Sequence, residues 1–163
     1  MRRWANDTHV SPHFDHVTAI DINVEMIRQA ETNLGDLQNV TLKIGDGYSL
    51  AGLESECFDF AFSFIIFQHI PSHEVIRSYC REVFRVLRPG SLFKFQVQGN
   101  TSMRSKPHDT WHGVPISELD ACSIAEESGF DLERSEGAGT QYFWLWFRKP
   151  VLASDRRHQR RAS

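Results

Sequence analysis

The chain has 163 residues, enough for one domain with a real core, and its 40% hydrophobic and 24% charged residues are the proportions of an ordinary globular protein. No apolar stretch approaches the ~18 residues a membrane span needs, and no long apolar run follows Arg2-Arg3, so neither a membrane helix nor a signal peptide is expected. Net charge is -3, but Asp155 to Ser163 hold four Arg and one Asp, so the rest of the chain carries -6, which argues against a broad nucleic-acid-binding face.

In chain order, strand-like and helix-like blocks alternate, the pattern of a βαβ chain with a parallel sheet. Val17-Thr18-Ala19-Ile20 is a short apolar, β-branched run ending at Asp21, as a buried parallel strand does. Asn23 can cap a helix that places Val24, Ile27, Ala30 and Leu34 on one face and stops at Gly35. Val40 to Ile44 is the next strand, followed by Gly45-Asp46-Gly47, and Phe58 to Ser63 is a third. Ser72 caps a helix with Val75, Ile76, Tyr79, Val83, Phe84 and Leu87 at helical spacing, and Pro89-Gly90 stops it. Leu92 to Val97 is a fourth strand, and Gly99 to Pro115 has no periodicity, so it reads as a lid-like loop or a segment without fixed order. Ser117-Glu118-Leu119-Asp120 has the form of a capping box opening a helix that ends near Gly129. Two strands follow, Asp131–Glu136 and Gln141–Arg148; the short Gly137-Ala138-Gly139-Thr140 connection requires them to be antiparallel. The aromatic-rich third strand and Tyr142 to Phe147 read as sheet core rather than as stacking platforms.

Asp21 stands where a strand leaves the sheet, the place where open α/β sheets bind ligands. A carboxylate there can accept both hydroxyls of a ribose, or it can simply cap the next helix. Asp46 follows 25 residues later, one βα unit on and again just past a strand. It could accept an exocyclic adenine amine while the Gly47 N–H meets a ring nitrogen, the absent side chain letting the base approach; a plain Gly-Asp-Gly turn is the alternative. Two acids on successive strand ends fit a nucleoside better than two unrelated turns.

Four segments carry a specific resemblance. Val17-Thr18-Ala19-Ile20-Asp21-Ile22-Asn23-Val24-Glu25-Met26 looks like the second-strand motif of class I S-adenosylmethionine-dependent methyltransferases, and Ile44-Gly45-Asp46-Gly47 resembles their adenine motif. Phe58 to Pro71 looks like their fourth strand and its exit, and Arg81-Glu82-Val83-Phe84-Arg85-Val86-Leu87-Arg88-Pro89-Gly90 is similar to the helix and turn before their fifth. The likeness spans roughly residues 13 to 149 and is nearest the small "methyltransferase domain" group. It implies a Rossmann-like three-layer α/β sandwich, mostly parallel, with a terminal antiparallel hairpin. It further implies S-adenosylmethionine as cofactor, with Asp21 and Ile22 at the ribose, Asp46 and Gly47 at the adenine, and Ser63 and Phe64 on the methionine–ribose side.

One departure matters. The family opens with a strand ending in a glycine-rich E/D-x-G-x-G loop, and nothing upstream of Asp21 matches it. Gly45-Asp46-Gly47 follows the adenine-side strand and Gly137-Ala138-Gly139 lies in a hairpin, so neither is that loop. His9 to His16 resembles the end of the helix that follows it. The first strand is therefore expected to be missing, and a truncated chain is the simplest explanation.

His69 could serve as a general base toward a substrate O–H or N–H, or pack structurally. Methyl transfer can also proceed without a base when nucleophile, methyl and sulfur are aligned. Gln98 and Asn100 are either substrate-facing groups or loop caps. His9, His13 and His16 could share a helix face, but Pro12 interrupts it and no carboxylate completes the set, so no metal is expected. Cys57, Cys80 and Cys122 are odd in number and scattered, which fits neither a disulfide framework nor a zinc site and suits a reducing cytoplasm.

The sequence thus reads as a methyltransferase-like domain over residues 1–150 and a basic tail over 151–163. The tail is either a solvated terminus or a contact for RNA or acidic lipid. The expected partner is a small-molecule methyl acceptor. One rival is a truncated or degenerate domain that binds no cofactor and acts as an interaction module. The other is a nicotinamide-dependent oxidoreductase, disfavoured by Gly45-Asp46-Gly47 and by the final hairpin.

Overall fold

The computed structural model describes residues 11–34, 36–102 and 113–151. His9, Gly35, the centre of the Gly99–Pro115 loop and the basic tail lie outside them. The chain divides into two compact units, Met1–Ala51 and Gly52–Ser163.

In the first unit a 3-10 turn, Ser11–His13, leads to β1 (Val17–Asp21), α1 (Val24–Leu34) and β2 (Val40–Ile44). β1 and β2 pair in parallel from Val17 opposite Val40 to Asp21 opposite Ile44, and α1 packs on both. The Asn23 side chain caps α1 as expected, accepting the N–H of Glu25 at 2.9 Å and of Met26 at 3.3 Å. Ile27, Ala30 and Leu34 form the buried stripe of α1. Val24, predicted on that stripe, is exposed.

The second unit contains β3 (Phe58–Ser63), a 3-10 turn (Phe67–His69), α2 (His73–Val86), β4 (Leu87–Val97), α3 (Glu118–Ser128), β5 (Asp131–Glu136) and β6 (Phe143–Arg148). Its sheet runs β3-β4-β6-β5, with β3 parallel to β4 and β6 antiparallel to both β4 and β5. The expectation of one mostly parallel sheet is corrected here: the described strands form a two-stranded parallel sheet and a four-stranded mixed one. The hairpin reverses β6, and β6 then inserts beside β4, so one reversed strand creates two antiparallel ladders. Among the described residues β1 and β3 each carry a strand partner on one side only.

α2 and α3 pack on one face of this sheet and on each other. Between them lie Phe93, Phe95, Phe143, Leu145 and Phe147, all essentially fully buried; each such side chain contributes about 1.5–3 kcal/mol on leaving water. Phe93 stacks on Phe95 at 4.2 Å, and Phe67 closes on both from the turn after β3. The opposite face carries the alternate residues. Trp144 and Trp146 are half-buried, Phe62 is 44% exposed, and the Lys94 ammonium lies 4.9 Å from each indole centroid. Reading the whole Tyr142–Phe147 segment as core is therefore corrected to alternate residues, as the two-residue period of a strand requires.

α2 ends one residue earlier than predicted: Leu87 is extended, with φ -76° and ψ 143°, and β4 begins there. Pro89 disfavours helix at the residue before it. Pro89-Gly90 does not end the element but sits inside β4, where the β3–β4 register slips between the Phe58–Leu87 and Phe60–Leu92 pairs. The Ser72 cap, the Ser117–Asp120 capping box and the Gly129 helix terminus form as predicted. No helix among the described residues is long and apolar enough to cross a membrane.

Candidate functional site

β1 and β2 are parallel and in register, so Asp21 and the Gly45-Asp46-Gly47 turn emerge together at their carboxyl ends. The Gly45 N–H donates to the Asp21 carbonyl at 2.9 Å, which carries the ladder one step past β2. Asp21 is half-buried, and its Oδ1 accepts the Asn23 N–H at 2.7 Å. Its Oδ2 has no hydrogen-bond donor among the described residues. The capping alternative thus accounts for one oxygen, which braces the start of α1, and leaves the other unused among the described residues.

Asp46 is more committed to its own loop. Oδ1 accepts the N–H groups of Tyr48 at 2.8 Å and Ser49 at 2.6 Å, and Oδ2 accepts the Ser49 hydroxyl. The Ser49 hydroxyl first, then the Ser49 and Tyr48 N–H groups, hold the Asp46 carboxyl down to about 2. Three of the roughly four acceptor sites of a carboxylate are thus taken, leaving one on Oδ2. The turn alternative holds for three of the four sites, and the ligand reading retains the last.

Gly47 has φ +82°, a backbone that L side chains rarely adopt, and a Cβ there would lie 3.6 Å from Ile22 Cγ2. Ile22 is 64% exposed and Tyr48 45% exposed. The turn thus offers bare backbone flanked by two accessible apolar side chains, which suits the edge and faces of a planar base.

The exit of β3 in the second unit is built differently. Ser63, opposite Phe95 on the helix-covered side, and Phe64, stacked on Trp144 at 5.4 Å, end the strand. Ile65 then adopts φ +69°, a strained conformation for a β-branched residue, costing about 1–3 kcal/mol. A fully buried Gln96 holds it: Gln96 Oε1 accepts the Ile65 N–H at 3.0 Å. Gln96 Nε2 faces three acceptors with two hydrogens: Gln68 Oε1 at 2.6 Å, the Gln141 carbonyl at 2.9 Å and, sharing one hydrogen, the Val97 carbonyl at 3.1 Å. Gln68 Nε2 lies 3.1 Å from His69 Nε2. Gly113, at φ +62°, lets the chain pass where a Cβ would come within 2.2 Å of the Gln68 carbonyl, and the Val114 N–H donates to the Ile70 carbonyl at 3.0 Å.

Sequence reasoning named His69 but missed Gln68 and Gln96. The sequence offered little signal for Gln96: in Phe93-Lys94-Phe95-Gln96-Val97 it shares the alternate face of Lys94, where a strand commonly carries polar residues. Gln98 and Asn100 are loop caps: Gln98 Oε1 accepts the Asn100 N–H at 3.0 Å, and Asn100 Oδ1 accepts the N–H and hydroxyl of Ser102. His13 lies in the 3-10 turn, and His16 shares a 3.0 Å hydrogen bond with the Thr41 hydroxyl. The three cysteines are free, and burial pushes the Cys80 thiol up out of the nucleophilic range.

The sequence profile of the methyltransferase domain family matches residues 5–95, more than half of the chain. The chain belongs to that family. No curated protein sequence matches it. Among solved structures it resembles a SAM-dependent methyltransferase from Methanosarcina mazei at 19% identity and TM-score 0.70, over 89% of this chain and 87% of that one. An S-adenosylmethionine-dependent methyltransferase from Mesorhizobium loti aligns at 17% identity and TM-score 0.71, over 89% and 85%. The N-methyltransferase NodS of Bradyrhizobium japonicum, solved with S-adenosyl-L-homocysteine, aligns at 18% identity and TM-score 0.65, over 88% and 71%. At these identities the structural likeness establishes the fold.

Proposed function

We propose that this chain binds S-adenosylmethionine through the tips of β1 and β2 and transfers its methyl group to an acceptor, a small molecule or one of another class. The observation that carries the reading is the pair of acids past adjacent, in-register parallel strands, one with an open carboxylate oxygen and the other shaping a side-chain-free turn. In this reading Asp21 Oδ2 accepts a ribose hydroxyl as a charge-assisted hydrogen bond. Ile22 and Tyr48 flank the base, the Gly47 N–H meets a ring nitrogen, and the last acceptor site of Asp46 takes the exocyclic amine.

The donor set fits the group, since a nucleoside presents hydroxyls and an amine to carboxylates and offers no anion to them. When bound, S-adenosylmethionine supplies a methyl activated by its sulfonium. The protein's contribution is then alignment of the acceptor rather than strong acid–base chemistry.

Calorimetric titration of the full chain with S-adenosylhomocysteine tests the reading. Binding that weakens in Asp21→Asn supports it. No heat at millimolar ligand favours the rival, in which the domain acts through protein contacts alone. Fluorescence titration with NADH tests the oxidoreductase alternative, for which no binding is expected.

A further inference from the structure

The hydrogen bonds at the β3 exit have a direction, and the direction can be traced from atoms whose roles are fixed. The Ile65 N–H can only donate, so the side-chain atom of Gln96 facing it at 3.0 Å is the oxygen. The Gln141 carbonyl at 2.9 Å can only accept, so the other end of that amide is the nitrogen; one of its two hydrogens goes there and the other points to Gln68, with the more distant Val97 carbonyl sharing one of them. An amide nitrogen has no lone pair to offer, so the Gln68 atom 2.6 Å from it is Oε1. Gln68 therefore turns its own NH2 toward His69 Nε2 at 3.1 Å, and that ring nitrogen must accept. The neutral imidazole then carries its proton on Nδ1.

We propose that this one-way relay, from the Ile65 N–H through Gln96 and Gln68, locks His69 as the Nδ1–H tautomer. Gln96 and Gln68 are positioning residues that act through His69. The single lone pair of the neutral ring is capped by an amide N–H, and the opposite nitrogen is a donor. If the β3 exit belongs to the methyl-transfer site, which rests on the function proposed above, Nε2 of His69 already accepts from Gln68 and is not the atom that takes a proton from the acceptor. The relay also ties the tautomer to the strained backbone at Ile65, because the same Gln96 amide fixes both.

The test needs neither cofactor nor turnover. The full chain, labelled with 15N-histidine, is examined by two- and three-bond proton–nitrogen correlation at a pH where the ring is neutral. The expected result is a protonated, pyrrole-type Nδ1 and a bare, pyridine-type Nε2 for His69. Gln68→Glu is expected to reverse the assignment: its carboxylate can accept from Gln96 and also from the ring, so the proton moves to Nε2. Gln96→Leu releases Gln68 and is expected to give mixed tautomers; should it fail to fold, Gln68→Leu removes the cap directly and serves the same purpose. An Nε2–H tautomer in the unmodified protein, or an Nδ1–H tautomer that persists in Gln68→Glu, overturns the proposal. Titration of the same sample with S-adenosylhomocysteine separates the two claims, since a locked tautomer without ligand binding leaves the relay standing and removes the catalytic setting.

Discussion

Lys149 is buried to 6% exposure immediately after β6, and replacing it with methionine should destabilise the protein by about 2–4 kcal/mol. The magnitude follows from its partners. Nζ donates to the carbonyls of Leu87 at 2.7 Å and Phe84 at 3.0 Å, at the end of α2 and the start of β4. It also lies 4.6 Å from the Phe84 ring and 3.2 Å from Glu56, whose side chain is 56% exposed. Two hydrogen bonds from a charged donor are worth roughly 3–6 kcal/mol together. Part of that offsets the cost of burying the ammonium, which methionine avoids while keeping the apolar stem. The exposed Glu56 arm adds less than about 1 kcal/mol, so Glu56→Gln is the control that should change little. Urea unfolding followed by circular dichroism gives the difference, read as a shift in midpoint at constant slope. A Lys149→Met protein within about 0.5 kcal/mol of the parent, or more stable than it, would refute the claim that this ammonium holds the end of α2.

Asp21→Asn keeps an oxygen for the Asn23 N–H but removes the charge, so S-adenosylhomocysteine should bind about 10-fold more weakly with stability nearly unchanged; equal loss of stability and binding would mean the residue is only a cap. The Asp46 carboxyl is held from an ordinary 3.8 down to about 2, so its contribution is fully present above pH ~4 and is lost as pH falls through ~2. Ser49→Ala removes the largest cause, and the Asp46 midpoint in a carbon-detected NMR titration should rise toward 3.8; an unmoved midpoint would contradict the loop geometry. Ser117→Ala breaks the capping box of α3 and should cost about 0.5–2 kcal/mol in thermal unfolding, whereas a neutral result would show that the helix start is set by packing alone.

Local chemistry made several elements legible from sequence. The bounds of β3 follow from its apolar run, the Ser117–Asp120 spacing announced a helix start, and the four-residue Gly137–Thr140 connection required the hairpin. The neighbouring acids were legible because a strand followed by Asp recurs after one helix. What was not legible depends on distant partners. Ile65 takes a left-handed backbone because Gln96, 31 residues away, receives its N–H. β4 begins at Leu87 because Glu56 and Cys57 donate to the carbonyls of Arg85 and Val86 and a bulge absorbs Pro89-Gly90. The split of the strands into two sheets depends on pairing partners that periodicity does not encode. The self-satisfied Asp46 turn was readable in principle, since Asp followed by Ser three residues on is a common way for a carboxylate to take back its own loop's N–H groups.

The central claim is that the tips of β1 and β2 grip one nucleoside. Amide NMR of the full chain during titration with S-adenosylhomocysteine tests it most directly. The account predicts saturable shifts, with a common midpoint, at the Asp21–Asn23 and Gly45–Ser49 amides. Saturable binding that leaves both segments unmoved would contradict it.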